Sequence, residues 1–158
     1  MPTIEDSILI QAPQPELFDL AQDYALRLKW DPFLREVRFL DGATEPAVGV
    51  KVWVRAWNWL TMTVEYVSLN RPHIVAMKML KEPFFFKQFA GSWRFEHRGD
   101  ATQVIFRYVF ESHWPWLQRL LDPVMSRVFR RDIRERLLGL KRGAEEQGLL
   151  TRLATLNN

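Results

Sequence analysis

Two side chains whose spacing suggests chemistry are Asp132 and Arg136, which stand four residues apart at the edge of an apolar helical stripe. That spacing brings both groups to one side of a helix. A carboxylate and a guanidinium facing a cavity would orient a carbonyl or hydroxyl group of a ligand. The simpler interpretation is an exposed ion pair, worth about half a kcal/mol or less. Because Arg and Asp are seldom fully buried, we favour the surface pair.

Tyrosine offers a second kind of polar contact. The ring of Tyr108 belongs to an apolar strand face, so its hydroxyl group, if buried, needs a partner. That partner would be a ligand, a water molecule or Asp132. Tyr66, on the inward face of an earlier strand, provides a second hydroxyl group of this type.

Other reactive residue types are sparse or poorly placed. The chain has no cysteine, which excludes disulfides, thiolate metal sites and cysteine nucleophiles. His73, His97 and His113 are dispersed, and none has metal-ligand spacing with another, so we expect solvated loop positions. Ser92 lies in a strand pattern rather than in a nucleophile elbow. We therefore predict no metal site, no cofactor and no catalytic residue.

The elements that must position these groups begin with a β-hairpin between Phe89 and Glu111. Its two arms alternate apolar and polar residues with a period of two around the turn Arg98-Gly99-Asp100. The predicted register pairs Phe95 with Val104, Trp93 with Phe106, Gly91 with Tyr108, and Phe89 with Phe110. These residues form an aromatic wall whose one gap is Gly91, where we expect open space.

From Trp116 onward the period changes to about 3.6, which predicts one long helix. The pattern leaves open whether Asp122-Pro123 begins this helix or kinks it. Its apolar stripe consists of Met125, Phe129, Ile133, Leu137, Leu140 and Ala144.

The remaining segments predict strands and short helices. Strands are expected at Ile4 to Ile10, Glu36 to Leu40, Gly49 to Trp57, Leu60 to Val67, and His73 to Leu80. Two short helices follow the first strand, one carrying Leu17, Phe18, Leu20 and Ala21 and the other running from Tyr24 to Trp30. Charge and size predict the register in which Val54 meets Met62, Val52 meets Val64, Lys51 meets Glu65, and Trp53 meets Thr63.

The order is strand, two short helices, six strands in a meander, and one long helix, so the predicted class is α+β. Residues 1–148 are expected to form one domain, and residues 149–158 a loosely held tail. A curved aromatic sheet closed by one helix commonly encloses a cavity. We expect it to be lined by Met62, Tyr66, Met77, Phe89, Gly91, Trp93, Phe95, Phe106, Tyr108, Phe110, Phe129, Ile133, Arg136 and Leu137. The segment Glu82-Pro83-Phe84-Phe85-Phe86 is either a lid or membrane-touching tip, or an edge strand that closes the core.

Composition limits the partners. The 158 residues carry a net charge of +3, with 7 Trp and 11 Phe, and the first residues lack an apolar signal core, which favours a soluble cytoplasmic protein. The helix from Arg119 to Arg142 is basic, and Arg127, Arg130 and Arg134 could contact RNA, a ribosome or anionic lipid. A solvated helix face is the commoner explanation. Trp53 and Trp57, expected on the outer sheet face, suggest a homodimer or stacking with arginine.

Short motifs make the chain resemble the helix-grip superfamily of START lipid-transfer domains, birch-pollen-allergen-like proteins and bacterial polyketide cyclase/dehydrase and lipid-transport proteins. The motifs are Ala12-Pro13, Glu16-Leu17-Phe18, Trp30-Asp31-Pro32-Phe33, Gly49, Arg71-Pro72, Gly91-Ser92-Trp93-Arg94-Phe95 and Leu140-Lys141. The resemblance covers nearly the whole chain. It implies a curved antiparallel sheet of about seven strands wrapped on a long C-terminal helix, with an apolar cavity between them.

Members of this superfamily include carriers, cyclases, quinone-binding proteins and ribosome-associated proteins, so the fold does not choose among them. From the aromatic wall we predict binding of a small hydrophobic ligand such as a lipid, a quinone or a polyketide-like molecule. The alternative is an aromatase/cyclase-like enzyme, a cyclase or dehydratase without metal, in which Tyr108, Tyr66 or Arg136 would give acid–base help.

Overall fold

The computed structural model describes residues 2–81, 86–156 and 158, and it has the predicted α+β order. Its elements are β1 (Thr3–Ile10), α1 (Gln14–Gln22), α2 (Tyr24–Trp30), β2 (Leu34–Phe39), β3 (Lys51–Ala56), β4 (Thr61–Asn70), β5 (Ile74–Lys81), β6 (Phe86–Arg98), β7 (Ala101–Ser112), α3 (Pro115–Glu145) and α4 (Leu149–Leu156).

The strands form a seven-stranded antiparallel sheet in the order β1-β7-β6-β5-β4-β3-β2. The first strand therefore pairs with the last, Ile4 lying opposite Tyr108. From β2 to β7 the sheet is a meander, as predicted. This topology explains why residues from both ends of the chain meet in the core.

Both predicted hairpin registers are confirmed. Gly91 pairs with Tyr108 and Trp93 pairs with Phe106 in the β6–β7 ladder, and the other two predicted pairs are present as well. In the β3–β4 ladder Val54 pairs with Met62, as the cross-strand charge pair of Lys51 and Glu65 indicated. Alternation and charge were sufficient here because a slip of one residue would turn every apolar side chain to the wrong face.

The long helix α3 settles the question of Pro123, which lies inside a helix beginning at Pro115. The helix packs mainly on β1 and β7, where Ile133, Leu137 and Leu140 are fully buried. No helix in the described ranges is long and apolar enough to span a bilayer.

The glycines in α3 allow a close helix crossing. A Cβ atom on Gly139 would lie 2.3 Å from the carbonyl oxygen of Trp30, and one on Gly143 would lie 2.9 Å from the Cβ of Trp30. The C-terminal end of α2 therefore lies directly against the α3 backbone. This contact fixes the position of the next residue, Asp31, relative to α3.

The expectation of a loose tail from residue 149 was wrong. Residues Leu149–Leu156 form α4, and Leu149 and Leu153 are buried in the core. The prediction rested on the terminal position of these residues. Two leucines four residues apart are enough to hold a short helix against α1. The segment Glu82-Pro83-Phe84-Phe85-Phe86, for which a lid or tip and an edge strand were both considered, lies outside the described residues except for Phe86, which is buried in β6.

Candidate functional site

A cavity of about 740 Å³ lies between the sheet and the middle of α3. Because α3 packs mainly on β1 and β7, it leaves the inward faces of β3, β4 and β5 without a helix directly above them. The side chains on those faces, Val54, Met62, Val64, Met77 and Met79, form one wall of the cavity. The volume lies within the range of roughly 300–1,000 Å³ that is usual for small-molecule sites.

Many of the predicted lining residues do line this cavity. They are Met62, Met77, Phe89, Gly91, Trp93, Phe106, Tyr108, Phe129 and Arg136. The structure does not place Tyr66, Phe95, Phe110, Ile133 and Leu137 among the lining residues, which is a correction to the predicted site. All five are at most 2% exposed and lie in the solid core.

Sequence reasoning missed several residues that complete the cavity. Phe33 and Leu34 at the start of β2, and Trp57 and Leu60 at the β3–β4 turn, form part of its rim. Trp57 was expected on the outer sheet face by alternation, but β3 ends at Ala56, so the period of two no longer applies. The structure also brings Arg27 to the cavity wall, where the nearby Trp30-Asp31-Pro32-Phe33 motif was the available sequence signal. Asp132, which was considered for a cavity contact, lines the cavity as well.

A buried ionic group stands at the base of the cavity. Arg136 donates from Nη2 to Asp31 Oδ2 at 2.8 Å, and Arg27 donates from Nε to the same oxygen at 3.1 Å. The other oxygen of Asp31 accepts the backbone N–H of Phe33 at 3.0 Å. The side chain of Asp31 is completely enclosed, while Arg27 and Arg136 are only 4% and 6% exposed.

Arg136 also connects this group to Tyr108 and Asp132. Its Nη1 donates to the Tyr108 hydroxyl oxygen at 2.8 Å, and that hydroxyl group donates to Asp132 Oδ2 at 2.6 Å. Of the partners considered for Tyr108, Asp132 is therefore the one present. The favoured interpretation of Asp132 and Arg136 as an exposed ion pair was wrong, because Asp31 supplies the charge that allows Arg136 to be buried.

Burial and charge shift the pKa values of these groups in different directions. Burial alone would raise the pKa of Asp31, but the charges of Arg136 and Arg27 outweigh burial and hold it below its ordinary value. Burial raises the pKa of Asp132, and the charge of Arg136 only partly opposes that effect. Burial also raises the pKa of Tyr108, with Arg136 acting in the opposite direction.

Aromatic rings surround the Arg136 guanidinium group. Its carbon atom lies 4.7 Å from the ring centre of Phe33 and 5.0 Å from that of Phe106. Such contacts stabilise a cation through the ring quadrupole. The Arg136 guanidinium group is therefore held between these rings, the Asp31 carboxylate and the Tyr108 hydroxyl group at the boundary of the cavity.

Tyr66 belongs to a separate buried pair rather than to the cavity. Its hydroxyl group lies 2.7 Å from that of Tyr24 and donates to Gln22 Oε1 at 3.1 Å. Burial raises the pKa of Tyr66. The predicted need for a polar partner was correct, and the partner is an internal one.

Gly91 lies under the ring of its cross-strand neighbour. A Cβ atom at this position would be 3.4 Å from two ring carbons of Tyr108 and 3.7 Å from one of Phe106. The open space expected above Gly91 is thus largely taken by the Tyr108 ring. Glycine allows that ring to lie flat enough for its hydroxyl group to reach Asp132.

The mouth of the cavity is apolar and exposed. Trp57 and Leu60 on the β3–β4 turn, together with Val128 on α3, line the cavity and also reach solvent. Val128 continues a row of exposed side chains at intervals of four along α3, which we call the apolar row. The row consists of Trp116, Leu120, Val124 and Val128.

The predicted basic face divides into two parts. Arg134 is engaged by β1, through Asp6 at 3.5 Å and the Ser7 carbonyl oxygen at 3.3 Å. Arg127 and Arg130 are exposed on α3. Trp53 stacks with Arg38 at 5.0 Å, which was one of the two interpretations considered for it. Among the described residues, no group of three or more His, Asp or Glu is arranged to hold a metal ion.

Comparison with known proteins agrees with this architecture. A family model described as "Polyketide cyclase / dehydrase and lipid transport" matches residues 1–145. No curated protein matches the chain.

Solved structures share the fold. Protein TTHA0849 from Thermus thermophilus has a TM-score of 0.74 at 16% identity, over 90% of this chain and 97% of its own. The Zhui aromatase/cyclase from Streptomyces sp. R1128 has a TM-score of 0.70 at 17% identity, over 93% and 98%. The di-domain ARO/CYC StfQ from the steffimycin biosynthetic pathway has a TM-score of 0.75 at 15% identity, with 92% of this chain matching 52% of StfQ. At these identities the likeness is one of fold.

Proposed function

Because the chain belongs to the polyketide cyclase/dehydrase and lipid-transport family, we propose that it binds a small hydrophobic molecule between the sheet and α3. The observation that carries the proposal is the cavity of about 740 Å³, with thioether, aromatic and aliphatic walls and polar groups gathered mainly at α3 and α2. That composition suits a lipid, a quinone or a polyketide-like molecule, whose apolar body would be removed from water.

Native mass spectrometry of freshly purified protein, combined with titration of an apolar fluorescent probe, tests this function. Met77→Trp places a larger side chain in the cavity wall opposite Gly91. We expect it to weaken probe binding by about tenfold or more, the equivalent of roughly 1.4 kcal/mol. Val67→Trp, on an exposed part of β4, is the matched control and should bind as the wild type does. Absence of any retained or added apolar ligand on the wild-type protein would overturn the proposal.

A second candidate is an enzyme that cyclises or dehydrates a polyketide-like substrate. It is favoured by the linked side chains of Arg136, Tyr108 and Asp132 at the edge of an apolar cavity. In such a reaction Asp132 would remove a proton from the carbon next to a carbonyl group, and the electrons of the C–H bond would move to the carbonyl oxygen. Arg136 would stabilise that enolate oxygen. The enolate carbon would then form a bond to a second carbonyl carbon, whose oxygen would take the proton back from Asp132.

The proton-removal step can be measured without the natural substrate. Acetonaphthone, an aryl methyl ketone, exchanges its methyl protons for deuterium by the same step, which NMR follows directly. An enzyme should accelerate the exchange over buffer, and Asp132→Asn should remove the acceleration. Glu135→Gln is the control, because Glu135 borders the same cavity but is paired with Arg131 and is not bonded to Tyr108 or Arg136. Equal rates with wild type, Asp132→Asn and buffer would eliminate the catalytic candidate.

For a carrier, exchange of ligand with a bilayer requires a contact surface, and we assign this role to the apolar row beside the cavity mouth. Trp116 and Leu120 are exposed, and basic Arg127 and Arg130 lie on the same helix. Aromatic and aliphatic groups next to arginine match the boundary between anionic headgroups and acyl chains. The predicted ribosomal or RNA contact has no equivalent support, since those polymers offer no apolar layer. The cytoplasmic location and the homodimer remain predictions.

Sedimentation with vesicles tests whether the apolar row and the exposed arginines contact a membrane. Binding to vesicles of phosphatidylcholine and phosphatidylglycerol should decrease with Trp116→Ser and Leu120→Ser, and also with Arg127→Gln and Arg130→Gln at low salt. Arg134→Gln should have a smaller effect, because this side chain is already engaged with Asp6. Binding that is unchanged in all the variants, or stronger to RNA than to vesicles, would contradict the membrane contact.

A further inference from the structure

The two arginines at the base of the cavity share one carboxylate. Arg27 and Arg136 both donate to Asp31 Oδ2, while Asp31 Oδ1 is occupied by the Phe33 backbone N–H. The directly bonded group therefore contains two cations and one anion. All three side chains are almost completely removed from solvent. Two buried guanidinium groups that share one carboxylate oxygen suit a further acceptor of negative charge.

Within the described part of the chain, neither Asp132 nor Glu135 accepts a hydrogen bond from Arg27 or Arg136. Asp132 Oδ2 accepts the Tyr108 hydroxyl group, and within the described part of the chain Asp132 forms no ion pair with either arginine. Asp132 and Arg136 act on each other only through space and through the Tyr108 hydroxyl group between them. Glu135 is bonded to Arg131 on the exposed surface. The remaining N–H donors of the two arginines therefore have no second carboxylate partner in the described part of the chain.

The arginines also retain hydrogen-bonding capacity. A guanidinium group has five N–H donors, and those of Arg136 make two hydrogen bonds, to Asp31 and Tyr108. Its Nε atom is enclosed and has no acceptor among the described residues. Arg27 likewise donates to Asp31 and to the Ala21 carbonyl oxygen. Both arginines line the cavity, so unused donors lie beside the space that a ligand would occupy.

Aromatic rings stabilise the Arg136 cation but do not take the place of a hydrogen-bond acceptor. Phe33, Phe106 and Trp93 surround the Arg136 guanidinium group at 4.7–5.7 Å. Cation–π contacts stabilise a desolvated cation, but they leave the N–H donors in the guanidinium plane without an acceptor. A carboxylate matches a guanidinium group in both charge and planar geometry, because it accepts two parallel hydrogen bonds.

From these unused donors beside an apolar cavity we propose that the ligand is an apolar carboxylic acid, bound with its carboxylate group at Arg136 and Arg27 and its apolar body against Met62 and Met77. The inference rests on the proposed ligand-binding function and specifies its ligand class. In this pose the headgroup accepts hydrogen bonds that the two arginines otherwise leave unmade. The body of the ligand extends past Met77 and Met62 toward the mouth at Trp57 and Val128.

A matched pair of probes tests the headgroup separately from the apolar body. Dansyl-labelled undecanoic acid and its methyl ester have the same chain and fluorophore, and they differ in the ionised group. We expect the wild-type protein to bind the acid at least about tenfold more tightly, as a charge-assisted hydrogen bond of about 1.5 kcal/mol or more would give. Equal affinity for acid and ester would overturn the inference and leave the proposed function standing. Failure to bind either probe would contradict both.

Two variants test where the carboxylate group of the acid probe binds. Arg136→Gln should reduce affinity for the acid toward that for the ester and leave ester binding almost unchanged. Arg131→Gln, at the exposed rim of the same cavity, should keep the full preference for the acid. An acid preference that survives in folded Arg136→Gln and is lost in Arg131→Gln would place the carboxylate at the mouth and contradict the inference. If Arg136→Gln does not fold, the wild-type comparison of acid and ester still decides the ligand class.

Discussion

The two ends of the interface between sheet and helices have the same sequence pattern and different structures. At the closed end, Phe95 on β6 contacts Phe18 of α1 edge to face at 5.2 Å, and Leu137 and Leu140 of α3 are fully buried. At the open end, Phe89 on the same face of β6 borders the cavity. The difference arises above the sheet, where α1 and α3 pack together over one end, whereas the middle of α3 only borders the cavity at the other. Strand alternation therefore identifies the inward face but not how well each part of it is covered.

Truncation of matched phenylalanines should show the largest contrast between the ends. Phe95→Ala should lower the free energy of unfolding by about 3–5 kcal/mol, since it leaves a cavity in close-packed surroundings. Phe89→Ala should cost about half as much or less, because its ring already borders empty space. Urea denaturation of both variants measures the difference. Equal losses would mean that the two ends are packed equally well.

Two aspartates are connected to Arg136, Asp31 directly and Asp132 through Tyr108. Their variants should respond differently to pH. Asp31→Asn should cost about 3 kcal/mol at neutral pH, because two buried arginines lose their shared anion. The pKa of Asp31 is lowered, so its stabilisation is present above the ordinary value of about 3.9 and is lost as pH falls through the lower folded-state pKa. The difference between wild type and Asp31→Asn should therefore shrink in acid.

Asp132 should show the opposite trend. Its pKa is raised, so its stabilisation is present below the unfolded value of about 3.9 and is lost as pH rises through the higher folded-state pKa. Asp132→Asn does not titrate, and its stability relative to wild type should improve as pH rises. Denaturation curves at several pH values check both trends, and parallel pH profiles for the two variants would contradict the assignment of charges.

A pair of glycines gives the smallest and sharpest contrast. Gly139→Ala should destabilise the closed end by about 1–3 kcal/mol despite the better helix propensity of alanine, because its Cβ would meet the Trp30 carbonyl oxygen at 2.3 Å. Gly91→Ala should change stability by no more than about 1 kcal/mol, since its Cβ would lie at contact distance from the Tyr108 ring. Thermal unfolding of the two variants measures this difference. A larger loss for Gly91→Ala would show that the Tyr108 ring cannot move.

Local patterns were sufficient to predict the sheet. The turn Arg98-Gly99-Asp100 and the alternating aromatics specify the β6–β7 register, and the pairing of Lys51 with Glu65 specifies that of β3 and β4. The pairing of β1 with β7 and the packing of α4 depend on contacts between distant segments. Those contacts follow from the complete fold and have no local signal.

The site was predictable on the aromatic wall and less so elsewhere. Gly91, Trp93, Phe106 and Tyr108 were identified because strand alternation fixes the direction of a side chain. Arg136 was proposed for the site, yet its burial was not expected, because the compensating Asp31 stands more than one hundred residues away in the chain. The inclusion of Ile133 and Leu137 was wrong, because the helical stripe does not indicate where the helix moves away from the sheet.

The pairing of the first strand with the last affects how the protein folds while it is being synthesised. Ile4 and Ile8 of β1 pair with Tyr108 and Val104 of β7, which leave the ribosome roughly one hundred residues later. At about 5–20 residues per second, β1 waits at least several seconds for its partner. During that interval its edge and its isoleucines are available to chaperones or to other nascent chains. We therefore expect the yield of native protein to depend on elongation rate more strongly than it would for a sheet made only of consecutive hairpins.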